Sequence, residues 1–341
     1  MCVRFARRPL LIRQNYAILS KEAKPALGSA SLREIENTES YALKRAQNNE
    51  RGLTIVKLNK KYQNLGGVNV FGSVPSKYDA RDYKVKTVEK HREYPESFSL
   101  FEDHFPVTKY QGNTGSCVAH ALSTLVEFFN WKQKKQKDVM STGYIYGNRQ
   151  YTINRLSGLI TRDAIKTLQK CGDAKEVDYP DNTEVPLCIE KFDNRPNDVD
   201  QKAYPNRISK YYRLGNPDTI KENLMNVGPV IVSLKWRTDS YFEGDHVLRF
   251  RSPKGTGYHC VIVYGWNKDG WLFQNSWGDW WGDHGRAVIP YDCRLLEKWG
   301  ITDNIIEDDS NIEIVKPNKF VLVTYKAINF VVNTFRKLFG K

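Results

Sequence analysis

A cysteine and a glutamine lie where they could carry out nucleophilic chemistry. Cys117 stands in "YQGNTGSCVAH", residues 110–120, at the predicted start of a helix. A helix N-terminus supplies a positive partial charge and unpaired N–H groups, which lower the pKa of a thiol. When a thiolate attacks a carbonyl group, the backbone N–H of Cys117 and the side-chain amide of Gln111 could both donate to the resulting oxyanion. We therefore interpret this stretch as a candidate nucleophile with its oxyanion donors.

Such a thiol also needs a base, and the base needs a residue that orients it. His259 begins an apolar strand candidate, and Asn275 follows in "QNSWGDWWGDHG" on what should be the neighbouring strand. Each of these signals is weak alone, because a single cysteine on an apolar helix usually indicates a buried core thiol. Together they favour catalysis. His120 lies closer to Cys117, but its position on the same helix predicts a core residue and not the base.

The elements that must position these residues change in type along the chain. Apolar residues at helical spacing predict helices over 116–136, 160–172 and 218–228, the second ending at a glycine suited to a C-cap. Short β-branched and aromatic runs then predict strands over 229–236, 258–266, 270–277 and 285–290. Helices followed by strands indicate an α+β fold with two lobes and a cleft between them.

These motifs together resemble the papain-like (C1) cysteine peptidases. That family's Q-G-x-x-G-S-C-x-A motif matches 111–119, and its H-[AC]-V and N-S-W-G-x-x-W-G motifs match 259–261 and 275–282. The resemblance covers roughly residues 96–292, with the motifs in the family's order. It implies a papain-like fold, in which a helical lobe carries the cysteine and an antiparallel β-barrel-like lobe carries the histidine and the asparagine.

The resemblance also implies a role for each matching residue. Cys117 would be the nucleophile, His259 the general base and acid, Asn275 the residue that holds the imidazole, and Gln111 the oxyanion donor. Three further residues would line the substrate side: Gly158 through a backbone contact to a bound peptide, Tyr258 at the edge of the cleft, and Trp277 as a shield over the His-Asn pair. No metal or cofactor is implied.

Departures from the family pattern indicate which branch of the family this chain resembles. Thr114 occupies the position of a disulfide cysteine in secreted members, and Val118 replaces a tryptophan. The stretches "YDARDY" (78–83) and "IPYD" (289–292) resemble the non-secreted bacterial and viral members. The helical propeptide signature is not recognisable in residues 1–95, which leaves inhibition by a prosegment as an open question, although a wrapping segment could still cover the cleft.

Composition limits the other function classes. The formal net charge is +13, which invites nucleic acid or an anionic surface as a partner, yet no nucleic-acid-binding motif supports the first. The six cysteines have no paired metal spacing, and no secretory h-region or membrane-spanning stretch is recognisable. We therefore expect reduced thiols and a cytoplasmic or virion-associated protein, with organelle import as a lesser alternative because the N-terminus is basic.

We expect three regions: an N-terminal extension over 1–95, a catalytic domain over 96–300 and a C-terminal extension over 301–341. In the N-terminal extension, Ser31 begins a helix candidate with capping-box spacing. The final segment, 316–341, is basic and amphipathic. Such a segment either packs on the protein itself, which we favour, or makes peripheral contact with an anionic membrane. The sequence gives no oligomeric state.

The leading hypothesis is a thiol protease acting on peptide or protein substrates. The alternative is a structural or assembly protein, for instance of a virion, that keeps the fold as a binding scaffold. A scaffold has no physical need to keep the nucleophile, base, orienting residue and oxyanion donor together. Amide chemistry on a non-protein substrate is a third hypothesis, and neither cleavage preference nor endopeptidase against exopeptidase action follows from the sequence.

Overall fold

A computed structural model describes most of the central part of the chain. The described residues are 71–85, 93–101, 105–149, 158–181, 183, 191–237, 239–250, 256–303 and 314–315. They all belong to one compact unit. The helix candidate at Ser31 and the segment 316–341 lie outside the described residues.

The first lobe is built around one buried helix. Helix α1, Cys117–Lys134, is buried along its first fourteen residues. Four of its apolar side chains, which the sequence places on one face, are at most 2 % exposed: Val118, Leu122, Leu125 and Phe129. The helix ends at Lys135, whose φ of 54° is left-handed. Since this helix is surrounded on nearly all sides, its N-terminus and Cys117 lie in the interior of the protein.

Among the described residues, four shorter helices with complete bounds follow α1. They are α2 at Thr142–Gly147, α3 at Thr161–Cys171, α4 at Val199–Ala203 and α5 at Pro217–Asn226, with a 3₁₀ turn at Tyr204–Asn206. Helix α3 ends at Gly172, which has a φ of 78° and a close approach to Ala203 that leaves no space for a Cβ atom. The glycine predicted to cap this helix is therefore required there by both conformation and space. Among the described residues, no helix is long and apolar enough to cross a membrane.

Thirteen strands are present among the described residues. In chain order they are β1 Ser73–Val74, β2 Lys84–Val85, β3 Phe98–Ser99, β4 Leu159–Ile160, β5 Lys210–Arg213, β6 Val230–Arg237, β7 Ser240–Glu243, β8 Val247–Phe250, β9 Thr256–Asn267, β10 Gly270–Gln274, β11 Arg286–Pro290, β12 Leu295–Thr302 and β13 Ile314–Val315. Strands β1 and β4 form a separate parallel pair.

The other eleven strands form one sheet. Its order is β13-β2-β5-β12-β6-β9-β10-β11-β8-β7, with β3 added against β9. The central pairs β12–β6, β6–β9, β9–β10 and β10–β11 are antiparallel, whereas β2–β5 and β11–β8 are parallel. The predicted antiparallel, barrel-like lobe is therefore antiparallel at its centre, and among the described strands the path does not close.

Two hydrophobic clusters correspond to the two lobes. One contains α1 and the sheet face that packs on it, including Cys117 and Cys260, and the other fills the β lobe around Trp236, Trp266 and Phe273. The predicted α+β, two-lobe fold class is confirmed. The helices predicted over 116–136, 160–172 and 218–228 and the four predicted strands are all present, with boundaries shifted by a few residues.

Candidate active site

The thiol of Cys117 lies at the N-terminus of α1 and is enclosed. Ser116 is the N-cap residue, so Cys117 is the first residue of the helix, as predicted. The side chain is fully buried. Burial raises the pKa of the Cys117 thiol to about 11, although backbone hydrogen bonds from Cys260, Gly72 and Val118 lower it in part. The expected low pKa is therefore wrong for this closed form, because desolvation outweighs the helix N-terminus.

The histidine and the asparagine meet across two paired strands. His259 lies on β9, and Asn275 follows the end of β10, whose last residue, Gln274, pairs with Ile262. The ring Nε2 of His259 lies 2.7 Å from Asn275 Oδ1. The pairing of β9 with β10 thus brings together two side chains that are sixteen positions apart in the chain.

The hydrogen bonds around Asn275 determine which ring nitrogen carries the proton. Asn275 Oδ1 also accepts from the backbone N–H of Ser276 at 2.8 Å, so this atom is the amide oxygen. An oxygen of this kind only accepts, and Nε2 of His259 must therefore be the donor. In the neutral ring Nδ1 is then a free acceptor, and it has no hydrogen-bond partner among the described residues. A neutral imidazole with an available Nδ1 is what a general base requires.

Burial keeps this imidazole neutral. The side chain of His259 is 0 % exposed. Desolvation lowers its pKa to about 4, against the hydrogen bond to Asn275, which acts in the opposite direction. Trp277 lies over the ring, with centroids 4.8 Å apart and planes inclined by 32°, and Trp236 contacts it at 5.1 Å. Trp277 thus occupies the shielding position that the resemblance implies.

Gln111 is fixed by hydrogen bonds in the loop that leads into α1. Its Oε1 accepts from the hydroxyl of Ser276, and its backbone N–H donates to the Ser276 carbonyl at 2.8 Å. Its Nε2 donates to Thr114 O at 2.7 Å. Ser276 follows Asn275 directly, so one short stretch supports both the base and the candidate oxyanion donor.

Thr114 stabilises this loop where secreted relatives have a disulfide cysteine. Its hydroxyl donates to the Gln111 carbonyl at 2.6 Å and lies 2.7 Å from the hydroxyl of Ser116. Short hydroxyl bonds thus close the loop without a covalent bridge. The four described cysteines, Cys117, Cys171, Cys260 and Cys293, are free thiols.

Residues 71–74, which we name the strap, cover the site. The backbone carbonyl of Gly72 accepts from the N–H of Leu159 at 2.7 Å, and the next two residues form β1 against β4. A Cβ atom at Gly72 would overlap the carbonyl oxygen of Gly115, and one at Gly158 would lie 2.7 Å from the Gly72 oxygen. Three glycines therefore allow the strap backbone to lie directly on the loop before Cys117.

The strap also reaches the base. The ring of Phe71 lies 6.3 Å from that of His259, edge to face, and covers Gly257. Phe71 and Gly72 thus contribute to the burial of His259 and Cys117, beside Trp236 and Trp277 on the imidazole and Cys260 at the thiol. The structure is that of a closed form, in which a wrapping segment covers the cleft.

The remaining predicted residues lie around this centre. Gly158, with a φ of 76°, is next to the backbone contact that the strap makes, and Tyr258 is 41 % exposed at the rim. His120 is 2 % exposed and bonds through Nδ1 to Ser116 O at 3.0 Å. Burial lowers its pKa to about 3, and it lies in the core as predicted.

Sequence reasoning did not identify the strap, Ser276 or Trp236 as parts of the site. Ser276 stood within the matched motif, so its contact with Gln111 could have been anticipated. Gly72 carried no signal, because the approach of three separate glycines is a tertiary feature. Within the described part of the chain, no group of three or more His, Cys, Asp or Glu side chains could hold a metal ion.

Comparisons with known proteins agree on one family. A sequence model of the papain family of cysteine proteases matches residues 94–305. A cysteine protease of Blomia tropicalis is 26 % identical over 243 residues, covering 65 % of this chain and 63 % of that protein. An uncharacterized peptidase C1-like protein of Acanthamoeba polyphaga mimivirus is 29 % identical over 247 residues, covering 65 % of this chain and 76 % of that protein.

Solved structures show the same fold. Xylellain, a cysteine protease from Xylella fastidiosa, superposes with a TM-score of 0.60 at 23 % identity, covering 73 % of this chain and 99 % of that one. Digestive procathepsin L 3 of Tenebrio molitor gives a TM-score of 0.57 at 18 % identity, covering 86 % and 100 %.

Proposed function

The chain belongs to the papain family of cysteine proteases, and we propose that it is a thiol peptidase that hydrolyses peptide bonds through an acyl-enzyme on Cys117. One observation carries this proposal. His259 donates through Nε2 to Asn275, and its Nδ1 is therefore available to accept a proton. The next residue along β9, Cys260, contacts the Cys117 thiol through its backbone, so the base and the thiol lie in the same part of the site. The scaffold alternative offers no reason for this arrangement.

The proposed reaction follows from the roles of these groups. Once the cleft is open, His259 Nδ1 takes the thiol proton, and the thiolate attacks the substrate carbonyl carbon. The oxyanion accepts hydrogen bonds from the backbone N–H of Cys117 and from the side-chain amide of Gln111. The imidazolium then gives its proton to the departing amine, and a water activated by the same Nδ1 hydrolyses the thioester.

We propose that the closed form is latent. The thiol and the imidazole are both fully buried beneath the strap, so a substrate can reach them only after the strap moves. Gly72 offers a way to open the cleft without touching a catalytic group, since any side chain at this position overlaps Gly115. We expect Gly72→Val to release the strap while the two lobes stay folded.

Labelling with an irreversible epoxide that reacts with thiols tests both proposals, that Cys117 is the nucleophile and that the strap covers it. We expect Gly72→Val to react at Cys117 at least about tenfold faster than the wild type, because the ratio of closed to open chains falls tenfold for each 1.4 kcal/mol of lost strap binding and the reagent reaches only the open chains. Mass spectrometry of the modified peptide identifies the site. Gly215→Val is the matched control, because a Cβ atom there meets nothing within 4 Å.

The proposed roles of the site residues are tested by measuring peptide hydrolysis in variants that also carry Gly72→Val. We expect Cys117→Ser and His259→Ala to abolish turnover, and Asn275→Ala to be milder because it only misorients the ring. Gln111→Ala should lower kcat by about 10 to 10³ with less effect on KM. Retained turnover in Cys117→Ser, or labelling at Cys293 in place of Cys117, would overturn the assignment.

We propose a cytoplasmic or virion-associated location, in agreement with the free thiols of the four described cysteines. For 316–341 we propose a helix packed on the protein. The alternative is that its apolar side binds an anionic membrane. Co-sedimentation with anionic vesicles at low and high salt, for the full chain and a chain lacking 316–341, separates the two. Salt-sensitive binding that depends on the segment would show that the membrane is the partner.

A further inference from the structure

A small cavity lies beside Asn275, between α1 and strand β9. Its volume is about 10 Å³, which is just large enough for one water molecule. Most of the side chains that line it are buried, among them His120 on α1 and Asn275 itself. The cavity therefore lies between a histidine that the proposed reaction does not use and the residue that holds His259.

Asn275 brings to this cavity a donor that lacks an acceptor. Its Oδ1 is engaged, because it accepts from His259 Nε2 at 2.7 Å and from the Ser276 N–H at 2.8 Å. Its Nδ2 is buried and has no hydrogen-bond partner among the described residues. A buried donor without an acceptor is costly. The amide orientation that serves His259 therefore depends on a group that accepts from Nδ2.

His120 brings an acceptor that lacks a donor. Its Nδ1 lies 3.0 Å from the carbonyl oxygen of Ser116, which only accepts, so Nδ1 carries the ring proton. Burial lowers the pKa of His120 to about 3, which keeps the ring neutral. Nε2 is then an acceptor, and it is also buried without a hydrogen-bond partner in the part of the chain that the structure describes.

One water molecule satisfies both groups. It accepts from Nδ2 of Asn275 and donates one hydrogen to Nε2 of His120. Its second hydrogen has an acceptor in the backbone carbonyl of Tyr110, which lies near the His120 ring. Buried waters typically make about three hydrogen bonds of this kind to groups that are otherwise unsatisfied. A metal cation is disfavoured here, because the side chain of Lys109 also lines the cavity.

This inference rests on the proposed peptidase function and adds a residue to its site. We propose that the cavity binds one water molecule that links Asn275 to His120, and that His120 is thereby a positioning residue for the base. His120 touches no substrate: it fixes the Asn275 amide, which in turn fixes the imidazole of His259. The alternative is that His120 serves only the first turn of α1 through its bond to Ser116.

Two conservative variants separate these roles, both in the full chain carrying Gly72→Val. The side-chain carbonyl in His120→Gln can take the place of Nε2, whereas the shorter amide in His120→Asn can take the place of Nδ1. We expect His120→Asn to lower kcat about fivefold with little change in KM, as the loss of one hydrogen bond provides, and His120→Gln to stay within about twofold. Equal kcat in the two variants, or the reverse order, would overturn the proposal.

A double-mutant cycle tests whether the effect passes through the asparagine. We expect His120→Asn to have no further effect on kcat in a chain that already carries Asn275→Ala, because the amide that the water holds is then absent. A separate packing effect of His120 would instead give the same loss in both backgrounds, and the positioning role would be rejected.

Nuclear magnetic resonance separates failure of this inference from failure of the proposed function, because it needs no hydrolysis. In the isotope-labelled full chain we expect His120 to carry its proton on Nδ1, and a long-lived water to show cross-relaxation with the Asn275 side-chain amide. The Nε2 proton of His259 should exchange with solvent about fivefold faster in His120→Asn and at the parent rate in His120→Gln.

The two readouts distinguish the outcomes. Absence of the water signal, or unchanged exchange of the His259 proton in His120→Asn, would overturn the water site even if peptides are hydrolysed. If both signals are observed but no peptide is hydrolysed, the link from His120 to Asn275 is retained and only the peptidase is rejected.

Discussion

The two ends of the described N-terminal segment are held to the protein by different forces. The strap, 71–74, is fixed by close backbone contacts among glycines and by neutral hydroxyl groups. Residues 79–85, which we name the anchor, are fixed by buried charge. Asp82 Oδ2 accepts from Arg162 Nη2 at 2.6 Å and from Arg213 Nε at 2.7 Å. A single segment thus has one end held by weak contacts and one held by strong contacts.

Further contacts strengthen the anchor. The backbone N–H of Arg213 donates to the Tyr83 carbonyl at 2.9 Å, and just before the anchor Arg162 Nη2 donates to the Lys77 carbonyl at 2.6 Å. Strand β2 pairs with both β5 and β13. The difference between the two ends indicates that the strap can leave the cleft while the anchor stays in the sheet. In that case Asp82 remains bound to Arg213 when the strap leaves the cleft.

Removing the anchor charge should have the largest effect on stability. Asp82→Ala leaves two guanidinium groups without their shared carboxylate, and the Asp82 side chain is only 4 % exposed. We expect a loss of about 3 kcal/mol in the free energy of unfolding, as for other broken buried ion pairs. Denaturant titration measures it.

The matched control is an exposed ion pair. Asp198 lies 2.9 Å from Lys202, but its side chain is 57 % exposed. Asp198→Ala should therefore cost less than about 1 kcal/mol. A loss for Asp82→Ala no larger than for Asp198→Ala would mean that the anchor is not the stronger end.

Acid should open the strap and leave the anchor in place. Beneath the strap His259 has a pKa of about 4, whereas an exposed imidazole titrates near 6.5. The open form therefore binds a proton that the closed form excludes, so the closed form is favoured above pH 6.5 and loses stability as pH falls towards 4. The population ratio changes by up to about tenfold per pH unit in this window.

Hydrogen exchange at one amide reports this opening. The N–H of Leu159 donates to Gly72, so its protection, corrected for the intrinsic pH dependence of exchange, should fall between pH 6.5 and 4. The N–H of Arg213, which donates to the anchor, should stay protected. Equal loss of protection at both amides would show that the segment opens as one unit. If the protection of Leu159 no longer depends on pH in His259→Gln, the effect is assigned to the imidazole.

The sequence predicted the elements that carry Cys117, His259 and Asn275 well because its signals are local. The helix that begins at Cys117 is set by its apolar spacing, and the short strands on either side of Asn267 set the distance from His259 to Asn275. The strap could not be predicted in this way, since nothing near Gly72 indicates that it meets Gly115 and Gly158. The pKa of Cys117 depends on tertiary burial, which reverses the effect of the helix N-terminus.

The smallest expected effect concerns the hydroxyl group of Ser73. Its contacts with Ser233 and Thr161 are neutral, and those two hydroxyls remain bonded to each other when it is removed, so no buried donor loses every partner. We expect Ser73→Ala to weaken the closed strap by about 1 kcal/mol, the usual net value of one hydrogen bond. Exchange at Leu159 should then become about fivefold faster, since 1.4 kcal/mol corresponds to tenfold. Ser99→Ala, in which the lost hydroxyl accepts only from the neighbouring Phe101 N–H, is the control and should leave Leu159 unchanged. A loss of global stability in Ser73→Ala that equals that of Asp82→Ala would reverse the order of the two ends, and the strap would then be part of the folded core and not a cover over the cleft.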